Sequence, residues 1–600
     1  MVETRHTGSS QAPVWLMVTS LVLLLIAAAH ILLLDGMEIG GDEAWSIWQS
    51  LGTPAEIVSW SPYDWPPLYY VSLGLWRQVA GLHPLALRYL SVLIFLPGVV
   101  ACYRVLQHWQ DERAGLLGMI AYAGLGYSLF LTTELRGYAF VMGLLPLALW
   151  LTLLYFNKPG IKRGLVLGIV LTLMFYITFT SAIAFIMLGL LTLIIYGKRI
   201  WRWWLPVLVL LLLALPLIIA KLGLVASRTA ATREIILAPF LAALTELFTQ
   251  FTGTSSLIWA VLLITASILL LISQRPPTRP ALGLLAWWLG GAVAMFLLNP
   301  VLGFFSPRYS WWLMLGLALW LGWGLSYARR GLWIGAALVL VGLMSTPGDL
   351  FDSYQFDDAP IIDNLIWLNA HSQPGDVILI DPNNDQCAAP HKWDYLSRVY
   401  LPDGPAFVDQ PGDHRRIWYV HVDWLADEDT LAAVSAGRVK GEFVGPPECL
   451  IRLYEAPPDP AGILFANGMR FHGLDVLNDN GPYTVYHEGE NIQVKLWWSA
   501  DEALADDYSI SLRLIDQQGQ LVTQNDSGPQ LIDAPGETST WTTDRIYVEE
   551  RELAIPFPFP DSKLALQLMV YQWQDNTAIP ASDTAEDNTL YLQDIYVHAW

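Results

Sequence analysis

The sequence predicts a polytopic α-helical membrane bundle of about eleven spans, followed by an extracytoplasmic α/β domain and a C-terminal β-sandwich, on three observations. Of the 600 residues 54% are hydrophobic and 28 are Trp, with mean hydropathy +0.41, a composition found in multi-pass membrane proteins. That hydrophobicity stops near residue 346: Lys and Arg number 20 against 12 Asp and Glu before it, and 13 against 42 after it. The net charge of −21 therefore belongs to the C-terminal part and describes nothing in the bundle. Beyond residue 460 the chain turns to alternating strands separated by Gly, Asp and Pro. No feature of this composition suits a nucleic-acid partner; the partner it demands is a lipid bilayer.

Apolar runs long enough to span fall at about 14–34, 84–106, 114–131, 138–156, 164–178, 180–196, 204–221, 256–273, 282–299, 309–326 and 331–346. The first follows Arg5 and His6 and is longer than a secretory signal core, so it reads as an uncleaved anchor with a cytoplasmic N-terminus. The segment from Trp65 to Val79 is apolar but short, and it carries Arg77. The positive-inside rule decides its place. If it lies on the membrane surface, the loops with Arg104/Arg113, Lys158/Lys162/Arg163, Lys198/Arg199/Arg202, Arg275/Arg279 and Arg329/Arg330 all fall in the cytoplasm. Read as a span, it puts all of them outside. It is therefore taken as a juxtamembrane helix in the loop 35–83, which faces out together with loops 132–137, 222–255 and 300–308 and the soluble part. The chain is expected to be a multi-pass protein of the cell (plasma) membrane, its transmembrane domain covering 1–346.

Cytoplasmic loops of about ten residues at most leave no domain on the side that holds activated nucleotides. Any group this chain transfers must arrive on a membrane carrier.

The outward loops hold the chemistry. Gly40-Gly41-Asp42-Glu43-Ala44-Trp45 places two carboxylates at the outer mouth of the bundle, a costly position. Asp42 suits a helix cap, with Trp45, Trp48 and Leu51 on one face against the bilayer surface; a cap alone is the plainer reading. Glu134-Leu135-Arg136-Gly137-Tyr138 and Ser306-Pro307-Arg308-Tyr309 follow in later loops, where Arg and Tyr also serve as interfacial anchors. Arg88, inside apolar sequence, needs a carboxylate or phosphate partner. Together these residues give a carboxylate pair, a further Glu, and three arginines whose forked guanidiniums suit a phosphate.

The order of Asp-Glu in the first outer loop, Trp65-Pro66-Pro67-Leu68, an Arg opening the second span and Glu134-x-Arg136-x-Tyr138 before the fourth resembles the GT-C glycosyltransferases of the protein O-mannosyltransferase and aminoarabinose-transferase type. The resemblance covers about 14–346. It implies a polyprenyl-phosphate sugar donor, surface helices in the first outer loop and an inverting transfer, with Asp42 as the catalytic carboxylate and Glu43 as its partner. Trp65 stands where many members have His, and Gly137 where a larger residue is common.

Phosphate is already a good leaving group, so one base for the acceptor hydroxyl is sufficient. Asp42 is the expected base, with Arg88, Arg136 and Arg308 on the donor phosphate and Trp65, Glu134, Tyr138 and Tyr309 lining the substrates. The acceptor, whether protein, lipid or polysaccharide, is not chosen by any residue. Asp42, Glu43 and Glu134 are oxygen ligands suited to a divalent cation, which the sequence does not require. The alternative function is a transporter or flippase-like protein displaying a sugar-binding ectodomain; such a protein places charge at mid-bilayer on broken helices or repeats, a pattern not seen here.

The α/β domain is expected over 347–457: a helix at 358–371, strands at 377–380, 417–421 and 450–454, and a helix near 428–436. It lacks a Gly-rich phosphate loop, and a structural or acceptor-docking role fits it. Pro457-Pro458-Asp459-Pro460 reads as a linker to a sandwich at 462–600 with strands at 492–497, 508–515, 564–572 and 590–598. Trp497, Trp498, Trp541 and Trp573 either bind carbohydrate or, as strand aromatics usually do, fill the core. Cys102 lies within a span; Cys387 and Cys449 fall in the outward region, where a bridge is permitted.

Overall fold

The computed structural model describes residues 12–34, 41–60, 65–231, 239–274, 277–302, 306–328, 359–384, 390–402, 404–478, 485–532, 535–582 and 588–599. The chain divides into two compact units, Met1–Ala359 with Asp394–Val399, and Pro360–Trp393 with Tyr400–Trp600.

The first unit is helical. It runs α1 (Ala12–Leu32), α2 (Gly41–Gln49), α3 (Pro54–Trp60), α4 (Leu68–Ala80), α5 (Pro84–Trp109), α6 (Glu112–Gly124), α7 (Gly126–Thr133), α8 (Tyr138–Asn157), α9 (Ile161–Ile177) and α10 (Ser181–Tyr196). It continues with α11 (Trp204–Ala231), α12 (Phe240–Thr252), α13 (Ser256–Ser273), α14 (Arg279–Leu285), α15 (Gly291–Leu302), α16 (Pro307–Ser310) and α17 (Leu313–Ser326). Among the described residues, six helical segments are long and apolar enough to cross a membrane: Val14–Leu32, Pro84–Trp109, Tyr138–Asn157, Ser181–Ala220, Ser256–Ser273 and Arg279–Asn299. The pair α6 and α7, bent by 60°, makes a seventh. This is the helical complement of a multi-pass membrane protein.

The eleven expected spans distribute over these helices unevenly. The runs at 164–178 and 309–326 fall on α9 and α17, which at 17 and 14 residues are shorter than the ~20 residues of a full crossing. The runs at 180–196 and 204–221 share the 40-residue segment Ser181–Ala220, which as one straight helix would measure ~60 Å. A 3₁₀ stretch, Gly197–Trp203, interrupts it at Gly197, whose φ of +56° only glycine adopts freely. The run at 331–346 lies outside the described residues.

Close helix contact holds the bundle together. A Cβ placed on Gly98 of α5 would lie 2.6 Å from the Gly143 carbonyl oxygen of α8, so the two backbones touch, as small residues allow within membranes. This contact lies in the N-terminal part of α8, which follows the loop carrying Glu134 and Arg136. The segment 35–83 contains α2, α3 and α4, and the 13 residues of α4 are too few to cross.

After the first unit's helices the chain runs α18 (Ala359–His371), β1 (Val377–Ile380), α19 (Pro390–Tyr400, of which Asp394–Val399 group with the first unit), β2 (Ala406–Val408), β3 (Arg416–His421), α20 (Glu428–Ser435), β4 (Val439–Val444) and β5 (Leu450–Glu455). The five strands form one mixed sheet, order β2-β1-β3-β5-β4, in which β1 is parallel to β2 and β3 and the remaining pairs are antiparallel. Two further sheets follow. One has the order β11-β10-β13-β15-β8 with β14 beside β13, and the other β12-β9-β7-β6. Their strands are β6 (Ile463–Leu464), β7 (Met469–Val476), β8 (Tyr486–His487), β9 (Asn491–Ala500), β10 (Tyr508–Ile515), β11 (Leu521–Ser527), β12 (Tyr547–Ala554), β13 (Ser562–Gln572), β14 (Thr577–Ala578) and β15 (Leu590–His598).

Alternation puts Val494, Leu496 and Trp498 of β9 and Leu564, Leu566 and Leu568 of β13 into a shared core. Trp497 faces the other way, yet it is also buried: its Nε1 donates to Asp475 at 2.8 Å, and Arg415 lies over its ring. Glu455, at the end of β5, accepts from Arg416 at 2.8 Å and from Lys495 of β9 at 2.9 Å, so the mixed sheet and the sandwich share one ionic seam. Trp541 is buried as well; of the four tryptophans considered for carbohydrate, Trp573 alone is exposed. Cys102 is a buried free thiol and Cys449 is disulfide-bonded, while Cys387 lies outside the described residues.

Candidate active site

Helix α2 starts at Gly41, so Asp42 and Glu43 occupy its first turn, where unpaired N–H groups and the helix dipole favour carboxylates. Ala44 and Ile47 are fully buried and anchor the helix. Successive residues of a helix point about 100° apart, which separates the two acids: Glu43 is buried, while the Asp42 side chain is 40% exposed.

Glu43 is a junction. Arg88 of α5, itself fully buried, donates Nε to Glu43 Oε1 at 3.1 Å and Nη2 to Oε2 at 2.7 Å, the two-pronged geometry that strengthens such pairs. The Leu135 amide donates to Glu43 Oε1 at 2.8 Å. One carboxylate thus joins α2, α5 and the loop between α7 and α8. The partner that the Arg88 position demands is this carboxylate.

Asp42 faces the other two arginines. Arg136 Nη2 lies 2.7 Å and Arg308 Nη2 3.2 Å from Asp42 Oδ2. Arg308 Nη2 also lies 3.1 Å from Oε1 of buried Glu134, which stands 4.0 Å from Arg136 Nε. Arg308 comes from the four-residue helix α16, opened by Pro307. The aromatic residues clamp the cations: Arg136 Cζ is 5.2 Å from the Trp65 ring centre, and Arg308 Cζ is 6.0 Å from that of Tyr138. Tyr309, beside Arg308 on α16, is half-buried.

Three carboxylates and three guanidiniums balance when all are ionised. Burial raises the Glu134 pKa above the ordinary carboxylate value, against the opposing pull of Arg308 and Arg136. Burial also works against both guanidinium charges, but neighbouring tyrosines and carboxylates outweigh it, and Arg136 and Arg308 stay charged. With a proton on Glu134 the group carries a net positive charge and suits an anion.

Behind Arg136 lies a cavity of about 10 Å³ walled by Trp65, Tyr69, Tyr70, Tyr138 and Thr178, room for roughly one oxygen-sized guest. Tyr69 Oη and Arg136 Nε, both buried, find no hydrogen-bond partner among the described residues. Two unsatisfied donors beside one cavity call for an acceptor oxygen.

No protein-family model matches the chain, and no curated protein matches it. Its fold is similar to that of ArnT from Cupriavidus metallidurans, 14% identical over 74% of this chain and 98% of that one, with TM-score 0.47 in the apo state and 0.48 bound to undecaprenyl phosphate. It is also similar to the Archaeoglobus fulgidus oligosaccharyltransferase (10% identity, 97% and 99% covered, TM-score 0.43) and to arabinosyltransferase EmbB from Mycobacterium smegmatis (11%, 98% and 66%, 0.36).

A divalent cation does not fit these side chains as they stand: among the described residues no three His, Cys, Asp or Glu converge, and both Asp42 and Glu134 are engaged by guanidinium groups. The sequence reading missed Tyr69 and Tyr70, although both follow Pro66-Pro67-Leu68 directly. The small residue at Gly137 now has a cause: a Cβ there would meet Ile177 Cγ2 at 2.8 Å and the Tyr69 side chain at 3.4 Å. A larger side chain would push α4 and α9 away from the Arg136 loop.

Proposed function

We propose that this protein is an integral-membrane glycosyltransferase that moves a sugar from a polyprenyl-phosphate carrier to an extracytoplasmic acceptor hydroxyl with inversion. The observation that carries this reading is the half-exposed Asp42 carboxylate with two guanidiniums on its Oδ2. A pair of clustered arginines that already holds one oxyanion has the donors for a phosphate. Donor phosphate competes with Asp42 for Arg136 and Arg308 and turns the carboxylate toward the acceptor. The acceptor oxygen then bonds to the anomeric carbon as its proton passes to Asp42. The bond from that carbon to the phosphate oxygen breaks, its electron pair leaves with the phosphate, and Arg136 and Arg308 stabilise the charge that develops there. Attack opposite the leaving group inverts the centre.

In this reading Glu43 and Arg88 hold the base and the arginine loop in register, while Trp65 and Tyr138 orient the guanidiniums. In the same reading the bundle (1–346) has about eleven spans, the short α9 and α17 among them, with its N-terminus in the cytoplasm, and an α/β domain (347–457) and a sandwich (462–600) lie outside.

The deciding experiment supplies purified protein in lipid nanodiscs with a panel of polyprenyl-phosphate sugars and total membrane extract as acceptor. Transfer by the wild type, lost in Asp42→Asn with donor binding retained, is the expected result. Failure of every donor, or Asp42→Asn activity within a few-fold of wild type, rejects it.

A further inference from the structure

We infer that the C-terminal sandwich carries a binding cleft for a non-acidic oligosaccharide, at the end where the β10–β11 turn meets β15. The residues that build it are absent from the set of tryptophans that sequence singles out.

A β-bulge makes the surface. Along β15 and β13 the register pairs Gln567 with Tyr591 and Lys563 with Tyr596, and it shifts by one residue between Leu566 and Gln567. Residues five apart on a regular strand point to opposite faces; the extra residue of the bulge returns both tyrosines to one face. Tyr591 is 54% and Tyr596 49% exposed. Asp594, on the same face, pairs with Lys563 at 2.7 Å, and the Lys563 Nζ stands 5.9 Å from the Tyr596 ring centre. The result is a strip of aromatic faces and polar groups in which the lysine charge is already neutralised.

The strip runs into a cleft of about 530 Å³ whose walls include Asp516, Gln517 and Gln518 of the β10–β11 turn, Asp561, and Tyr596. That size matches small-molecule sites, ~300–1,000 Å³. Its carboxylates are fixed by the main chain. Asp516 Oδ1 accepts the amides of Gln518 at 2.9 Å and Gln520 at 2.7 Å, and Asp561 Oδ1 accepts that of Ala599 at 2.7 Å. The Asp561 side chain is nevertheless 70% exposed, so a ligand meets an oriented acceptor with little further ordering cost.

Carboxylates that accept paired hydroxyls, amides that both donate and accept, and a tyrosine face for C–H groups are the chemistry a pyranose ring requires. The sign of the charge narrows the ligand. Asp516 and Asp561 outweigh His598, which lies 3.9 Å from Asp561, and the soluble part is strongly acidic. Phosphorylated or uronic-acid glycans are repelled; neutral or amino sugars are accepted.

The test uses the full-length protein in lipid nanodiscs on an array of neutral, N-acetylated, amino and uronic-acid oligosaccharides, with affinities measured for each bound member. Wild type is expected to bind a neutral or amino oligosaccharide, and Tyr596→Ala and Asp561→Asn each to weaken it tenfold or more at unchanged thermal midpoint. Trp573→Ala, at the opposite end of β13, is expected to stay within twofold. No binding to any array member, binding to acidic glycans alone, or loss in Trp573→Ala with both cleft variants unaffected overturns the inference.

Discussion

Arg308 Nη2 stands between two carboxylates, 3.2 Å from Asp42 Oδ2 and 3.1 Å from Glu134 Oε1. The first is half-exposed and the second buried, so a single cation links the open part of the site to its dry interior. In the proposed reaction that cation and Arg136 exchange Asp42 for phosphate, and the behaviour of each partner can be measured separately.

Arg136→Lys keeps the charge but loses the fork and the flat contact with Trp65. Transfer rate at saturating donor is expected to fall by roughly 10- to 1,000-fold, the scale of losing one donor aimed at developing charge, with the thermal midpoint held. A variant within threefold of wild type assigns Arg136 to anchoring alone.

Breaking the Glu43–Arg88 pair is expected to act on folding. Arg88→Ala leaves Glu43 buried without its guanidinium partner and should cost about 3–5 kcal/mol, read as a lower thermal midpoint and poor yield. Near-normal stability would mean that water replaces the lost guanidinium, and that the pair does not hold α2 to α5.

The raised pKa of Glu134 sets a pH dependence. The native site keeps that proton to higher pH than an exposed carboxylate, so its stabilising effect on the fold is complete below the ordinary value and lost as pH rises through the raised one. Below that point the site is more positive, and affinity for a polyprenyl phosphate is expected to strengthen as pH falls. Glu134→Gln should flatten the slope, measured by titrating the lipid phosphate across the range; a parallel slope in that variant excludes Glu134 as its source.

Gly143 offers a test remote from the chemistry. A Cβ on Gly143 collides with the Ile94 carbonyl oxygen, so Gly143→Leu must part α5 from α8, at a cost of about 1–3 kcal/mol or more. Activity is expected to fall more than stability, because α8 begins two residues after Arg136. Equal activity per folded molecule would separate helix spacing from the site.

The acid pair and the three arginines were legible because a charge in apolar sequence needs a reason, and the loops placed most of them at one face. The partner of Arg88 was not: carboxylate and phosphate satisfy the same guanidinium, and only coordinates choose Glu43. Tyr69 and Tyr70 hid because tyrosines beside a membrane segment look like an interfacial belt. The bend at Leu125, with Gly124 and Gly126 beside it, leaves hydropathy unchanged, and a hydrophobic count reads α6 and α7 as one straight crossing. In the sandwich, period-two alternation buries Trp498, but the same alternation would expose Trp497, whose burial depends on Arg415 and Asp475 from distant segments. The bulge that aligns Tyr591 with Tyr596 left no mark in the strand pattern.

Because Leu135 hangs its amide on the same acid that grips Arg88, the loop between α7 and α8 cannot drift while α2 stays put. A change that removes the carboxylate at position 43 therefore unfastens α5 and that loop together.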